Sequence, residues 1–149
     1  IDIQYIDLRE CSNALIILIY NKKQLSNYIF RKDNKKFLMQ LGYSNKEDIN
    51  NYLYMLKNRY KEFNCPHELG IFLGFPLNDV MDFMNCKNKK CLSCGYWLVY
   101  NNLQEAKETF SRYDKVKEHT VNYILKGDSS HNVAYSIRNL FQEYEGASA

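Results

Sequence analysis

Four of the five cysteines, both prolines and the single tryptophan fall within residues 65–100, which read CPHELGIFLGFPLNDVMDFMNCKNKKCLSCGYWLVY. Residues of these types can do chemistry, and thiol catalysis is the first to consider. His67 and Glu68 precede one apolar run and Cys94 precedes the next. A histidine beside a cysteine lowers the thiol pKa and yields a thiolate nucleophile, and a carboxylate can orient the imidazole. The candidate catalytic set is therefore His67, Glu68 and Cys94. The plainer reading of the same residues is that His67 packs or caps, Glu68 pairs with a cation, and Cys94 is a small half-buried residue beside Gly95.

The cysteines also suggest a metal. Cys86, Cys91 and Cys94 form C-x4-C-x2-C, and Cys65 or His67 could complete a tetrahedral thiolate site for zinc. Lys87, Lys89 and Lys90 would offset the thiolate charge. The signal is a single C-x2-C pair on a loop, so free, exposed thiols at Cys86 and Cys91 are the competing expectation.

A third option is a binding pocket. Phe72, Phe75, Tyr96 and Trp97, with Asp79, form a candidate ligand-binding set. Aromatic walls next to glycines suit a flat small molecule or a peptide, although strand aromatics more often pack a core. Gly70-x3-Gly74 is not a phosphate loop, because no Lys-Ser or Lys-Thr follows.

These residues need elements to hold them. Ala14–Tyr20 is continuously apolar and rich in β-branched residues, which predicts a buried strand. Residues 1–10 are ambiguous between strand and helix. Leu69–Phe75 and Tyr96–Tyr100 are two further predicted strands, the former with glycines that mark a bulge or a close backbone approach. Apolar spacing predicts helices over 22–30, around Phe37–Leu41 with Gly42 closing the turn, over 46–63, over 77–84, over 103–126 and over 130–144. Ser44-x-x-Glu47 and Asn102-x-x-Glu105 have the form of N-terminal capping boxes. About three strands covered by five or six helices give an α+β fold, or a small three-layer α/β one. Ile16, Phe72 and Val99 are expected in one sheet, and His67, Glu68 and Trp97 in one concavity. The expectation is a single domain over 1–145, with 146–149 as a tail.

HELGIFLGFPLNDVMDF at 67–83, CGYWLVY at 94–100 and a following helix with Ala106, Phe110 and Tyr113 resemble a clostridial family known only as a domain of unknown function, number 3793. The helix carrying Leu53, Leu56 and Arg59 fits as well. The resemblance runs from His67 to about Tyr113 and is loose over the first forty residues. It implies a shared core at His67, Glu68, Gly70, Gly74, Pro76, Asp79 and Gly95-Tyr96-Trp97, without Cys86 or Cys91. It implies an intracellular protein of anaerobic Firmicutes, and it brings no established activity.

Composition narrows the partners. A net charge of +3 with interspersed signs lacks the basic stripe of a nucleic-acid binder. The longest apolar run is far below the ~20 residues of a membrane helix. An odd, clustered set of cysteines without a secretory leader favours reduced thiols and a cytoplasmic protein. The functional expectation is a module that binds a small molecule or a protein through residues 65–100. A thiol-dependent enzyme and a zinc-thiolate module are the alternatives.

Overall fold

The computed structural model describes residues 2–85 and 89–146, with side chains through residue 139. Cys86 lies outside the described residues, as do the side chains of Leu140 and Tyr144, expected on the inner face of the last helix. Among the described residues the chain forms seven helices and two separate two-stranded antiparallel sheets. Both sheets are hairpins, so the fold is α+β rather than three-layer α/β. The chain divides into two compact units, 1–92 and 93–149.

The first unit opens with a hairpin of β1 (Gln4–Cys11) and β2 (Ala14–Tyr20). The ambiguous N-terminal segment is thus a strand, paired with the one the apolar run predicts. Of that second strand, expected to be buried, Leu18 alone is, since a two-stranded sheet is covered on one face. The register slips between Asp7 and Arg9, where Leu8 is the extra residue of a bulge. The bulge turns Leu8 inward, 3% exposed, and such a device bends the strand around what it covers. β1, not β2, packs along α3 (Ile49–Glu62). Arg9 Nη1 fastens that strand by donating to Asn64 Oδ1 at 2.7 Å.

Helices α1 (Lys22–Ile29) and α2 (Lys32–Gln40) follow as the spacing predicts. Asn21 caps α1 by accepting from Gln24 N at 3.0 Å. The buried Asn34 Nδ2 donates to Tyr28 O at 2.8 Å, joining the two helices. The Ser44–Glu47 capping box does not form. Ser44 Oγ closes a local turn onto Lys46 N, and Glu47 pairs with Lys35. Asp48 is the cap of α3, accepting from Asn50 N at 3.0 Å. Short polar side chains compete for such sites, and the one directly before the apolar stripe takes it.

The main departure from expectation is at Leu69–Phe75. It is not a strand: Leu69–Phe72 is a single helical turn, α4, followed by α5 (Leu77–Asn85). A short, wholly apolar run carries no period that separates strand from buried helix. Gly74 at φ +81° ends the turn, with Phe75 N donating back to Gly70 O at 2.8 Å. That 6→1 closure needs a residue in the left-handed region, where glycine is unstrained. The other glycine, Gly70, serves close approach: a Cβ there would come within 2.7 Å of Val80 Cγ2. The hydrophobic core of this unit gathers Leu8, Leu18, Ile29, Leu38, Tyr52, Leu56, Ile71 and Val80, among others.

The second unit begins with a small hairpin, β3 (Ser93–Cys94) and β4 (Leu98–Val99). Tyr96 and Trp97 sit in its bend rather than on a strand. Phe72, Ile16 and Val99 therefore do not share a sheet: they lie in α4, β2 and β4. The long helix α6 (Leu103–Leu125) starts where predicted, with Asn102 Oδ1 accepting from Glu105 N and Asn102 Nδ2 donating to Glu105 Oε2. Helix α7 (Ser130–Gly146) packs back on α6, capped by Ser129. His119 bonds Ser136 Oγ at 2.8 Å and so joins the two helices. No helix among the described residues is long and apolar enough to cross a membrane.

Candidate functional site

Glu68 is the most constrained polar residue of the first unit. It lies in the turn before α4 and is completely buried. Its Oε1 accepts from Arg59 Nε, on the last turn of α3, and from the Tyr43 hydroxyl at 3.2 Å. Its Oε2 is enclosed with no hydrogen-bond partner among the described residues. Burial, and then the neighbouring Glu68 charge, push the Tyr43 phenol well above the usual tyrosine range. Burial alone would lower the Arg59 guanidinium, but the hydrogen bond and charge of Glu68 outweigh it, and the net shift is upward. The cluster is thus a neutral phenol and a closed ion pair. Nearby, burial and then Cys65 raise the Tyr60 phenol to about 12, its hydroxyl standing 3.9 Å from Cys65 Sγ.

A cleft of about 510 Å³ opens where the end of β2 meets α1 and the α4–α5 turn. Its apolar wall is Leu18, Tyr20, Leu25 and Phe72, and its polar rim includes Gln24, Asn27 and Arg31. The Arg31 guanidinium lies over the Tyr28 ring at 4.8 Å. That ring is itself pinned, since the Tyr28 hydroxyl donates to Phe75 O at 2.7 Å. Gly74 forms part of the wall, and a Cβ at that position would meet nothing within 4 Å.

In the second unit the aromatics expected to line a pocket pack on one another. Phe110 of α6 takes Trp97 edge-on at 4.5 Å and Tyr96 at 5.6 Å, and Tyr113 meets Tyr96 at 4.9 Å. Gly95 makes room for this: a Cβ there would come within 2.2 Å of Phe110 Cε2. The Tyr96 hydroxyl donates to Asp114 Oδ1 at 2.8 Å, a bond that raises its pKa.

The sequence-derived candidates are placed as follows. His67 is exposed and stacks edge-on against Phe83 at 5.0 Å, while its neighbour Glu68 is directed to Arg59 and Tyr43. Phe72 is buried and lines the cleft, Phe75 is half-buried with its carbonyl held by Tyr28, and Asp79 is buried in the first turn of α5. Cys65, Cys91 and Cys94 are all exposed, so Cys94 is not half-buried beside Gly95. Cys65 and Cys91 belong to the first unit with His67 and Glu68, whereas Cys94, Tyr96 and Trp97 belong to the second. Among the described residues no three His, Cys, Asp or Glu side chains converge as a metal site would require. Sequence reasoning passed over Tyr43, Tyr28 and Arg31. The signal for the first lies in the burial of Glu68, which local sequence does not dictate: once buried, a carboxylate requires donors.

These features belong to a chain of a recognised family. A family model described as a protein of unknown function, DUF3793, matches residues 1–134, and the chain is a member of that family. The match extends well beyond the 67–113 core of the resemblance, taking in the hairpin and the start of α7. No curated protein and no solved structure matches the chain.

Proposed function

We propose that this chain is a binding module that takes a small molecule with an apolar body and one anionic group. The site is the cleft between β2, α1 and the α4–α5 turn. The observation that carries the reading is the pairing of Arg31, stacked on a pinned Tyr28, with the open wall at Gly74. A cation–π contact holds the guanidinium in place without neutralising it. The volume and the mix of apolar wall with a few polar groups are those of small-molecule sites. Phe72 and Gly74 connect the cleft to the 65–100 segment where chemistry-bearing residues crowd.

The test is a titration of the labelled full-length protein with 2-naphthoate, followed by amide chemical shifts, with 2-naphthylmethanol as the uncharged control. Saturable shifts are expected at Leu73, Gly74, Asn27 and Arg31. The carboxylate should bind about fivefold tighter than the alcohol, the upper range for an exposed ion pair, and Arg31→Ala should remove that preference. Shifts that fail to saturate, that fall away from the cleft, or that survive Arg31→Ala unchanged would overturn the reading.

A further inference from the structure

The outer edge of β2 is the most unguarded surface of the first unit. ALIILIY has seven residues and neither a charge nor a proline. Natural edge strands are blunted by lysine, proline, bulges or a covering element, because an open row of N–H and C=O groups templates pairing with another chain. Here the bulge sits on the other strand, β1, and so does the covering helix α3. Among the described residues no backbone hydrogen bond reaches Ala14–Tyr20 except from β1. The side chains are open as well: Leu15, Ile17 and Ile19 are 55%, 44% and 61% exposed.

We propose that β2 is an association edge for a second copy of this chain, which adds its own β2 antiparallel to give a continuous sheet β1–β2–β2–β1. Two arguments select a second copy joined at the edge. The first is charge. The outward face also carries Asp7, opposite Ile17, and Glu10, opposite Leu15. Stacking two such faces would bury both carboxylates of each copy in a gap of about 10 Å. Edge pairing leaves them on the outer strands, about 14 Å apart across three strand spacings, beyond the screening length of physiological salt. Both pairing strands are free of charge, so identical strands meet without repulsion.

The second argument is area. A seven-residue antiparallel pairing about Ile17 sets Leu15 opposite the copy's Ile19. It gives about six backbone hydrogen bonds, and an edge contact of seven residues lies at or below the ~1,000 Å² that a specific interface clears. An interface of that size predicts a reversible dimer in the micromolar range. The pairing edge shares Leu18, Ile19 and Tyr20 with the cleft, so a ligand and a second copy compete for that end of β2; the two readings stay separable because Arg31 takes no part in the pairing.

Sedimentation equilibrium of the full chain across micromolar concentrations tests it. A monomer–dimer equilibrium is expected. Ile17→Lys, a charge on the pairing edge at a position already open to solvent, should raise the dissociation constant by about tenfold or more. Tyr5→Lys changes the same face on the outer strand and should leave the constant within about twofold. In the unmodified protein, amide exchange along Ala14–Tyr20 should slow as concentration rises, a readout that needs no variant. A chain that stays monomeric overturns the proposal. Loss of the dimer in Tyr5→Lys would assign the association to the sheet face instead and equally overturn it.

Discussion

At the scale of single residues, Glu68 organises the first unit. Taking a carboxylate out of water costs several kcal/mol unless donors replace the lost hydration. Arg59 and Tyr43 supply those donors on one oxygen only. Removing the carboxylate leaves the Arg59 guanidinium, 17% exposed, without its counter-charge. Glu68→Ala is therefore expected to lower stability by about 3–5 kcal/mol, the range for breaking a buried pair from one side. Glu68→Gln, which keeps the shape and an acceptor for Tyr43, should cost less. Urea unfolding followed by far-UV circular dichroism measures both, and a loss below about 1 kcal/mol for the alanine variant would place the pair among solvated ones. The sequence singles out Glu68 through its neighbour His67. Its partners lie 9 and 25 positions upstream, on elements whose packing is not written in local spacing. Cys86, Cys91 and Cys94 show the opposite limit: their spacing is legible, but spacing alone does not establish convergence on a metal.

At the scale of elements, the helices were legible except the single turn α4, which reads as a strand. The observed α6 and α7 begin where the sequence places them, and α3 starts within the first turn of its expected span. Each repeats its apolar stripe several times and carries a cap, so two independent signals agree. The run LGIFLGF has neither, and its helical identity is decided by tertiary packing. Its two glycines serve different purposes, which makes them separable by mutation. Gly70→Ala places a methyl against Val80 and Phe75 in the core and should cost about 1–3 kcal/mol through overpacking. Gly74→Ala meets open space but keeps φ +81°, so its cost is the left-handed strain of about 1–2 kcal/mol. Pairing Gly70→Ala with Val80→Ala, which removes the clashing methyls, should recover part of the first loss and none of the second. Denaturation midpoints of the double variants decide, and equal behaviour of the two glycines would contradict the helical account of this turn.

At the scale of the whole molecule, the two units differ in what holds them together. Every residue of the main buried cluster lies between Leu8 and Val80. In the second unit the buried apolar residues among those described are Val99, Ala106 and Val133, alongside the aromatic group on Phe110. The first unit thus contains its own core, and a chain of its length buries enough apolar surface to fold without staples. Burying each large aliphatic or aromatic side chain contributes about 1.5–3 kcal/mol. Those gains stand against an ordering cost that a helix-rich unit with local contacts meets over short loops. The fragment 1–92 is therefore expected to fold alone and to unfold in urea in one cooperative transition, with a slope of at least about 1 kcal/mol per molar. Trp97 is the single tryptophan and lies in the other unit. The transition of the fragment is accordingly read by circular dichroism, and tryptophan fluorescence of the full chain reports on the second unit. A fragment that loses its signal gradually, without a sigmoidal transition, would show that the cluster from Leu8 to Val80 does not suffice as a core.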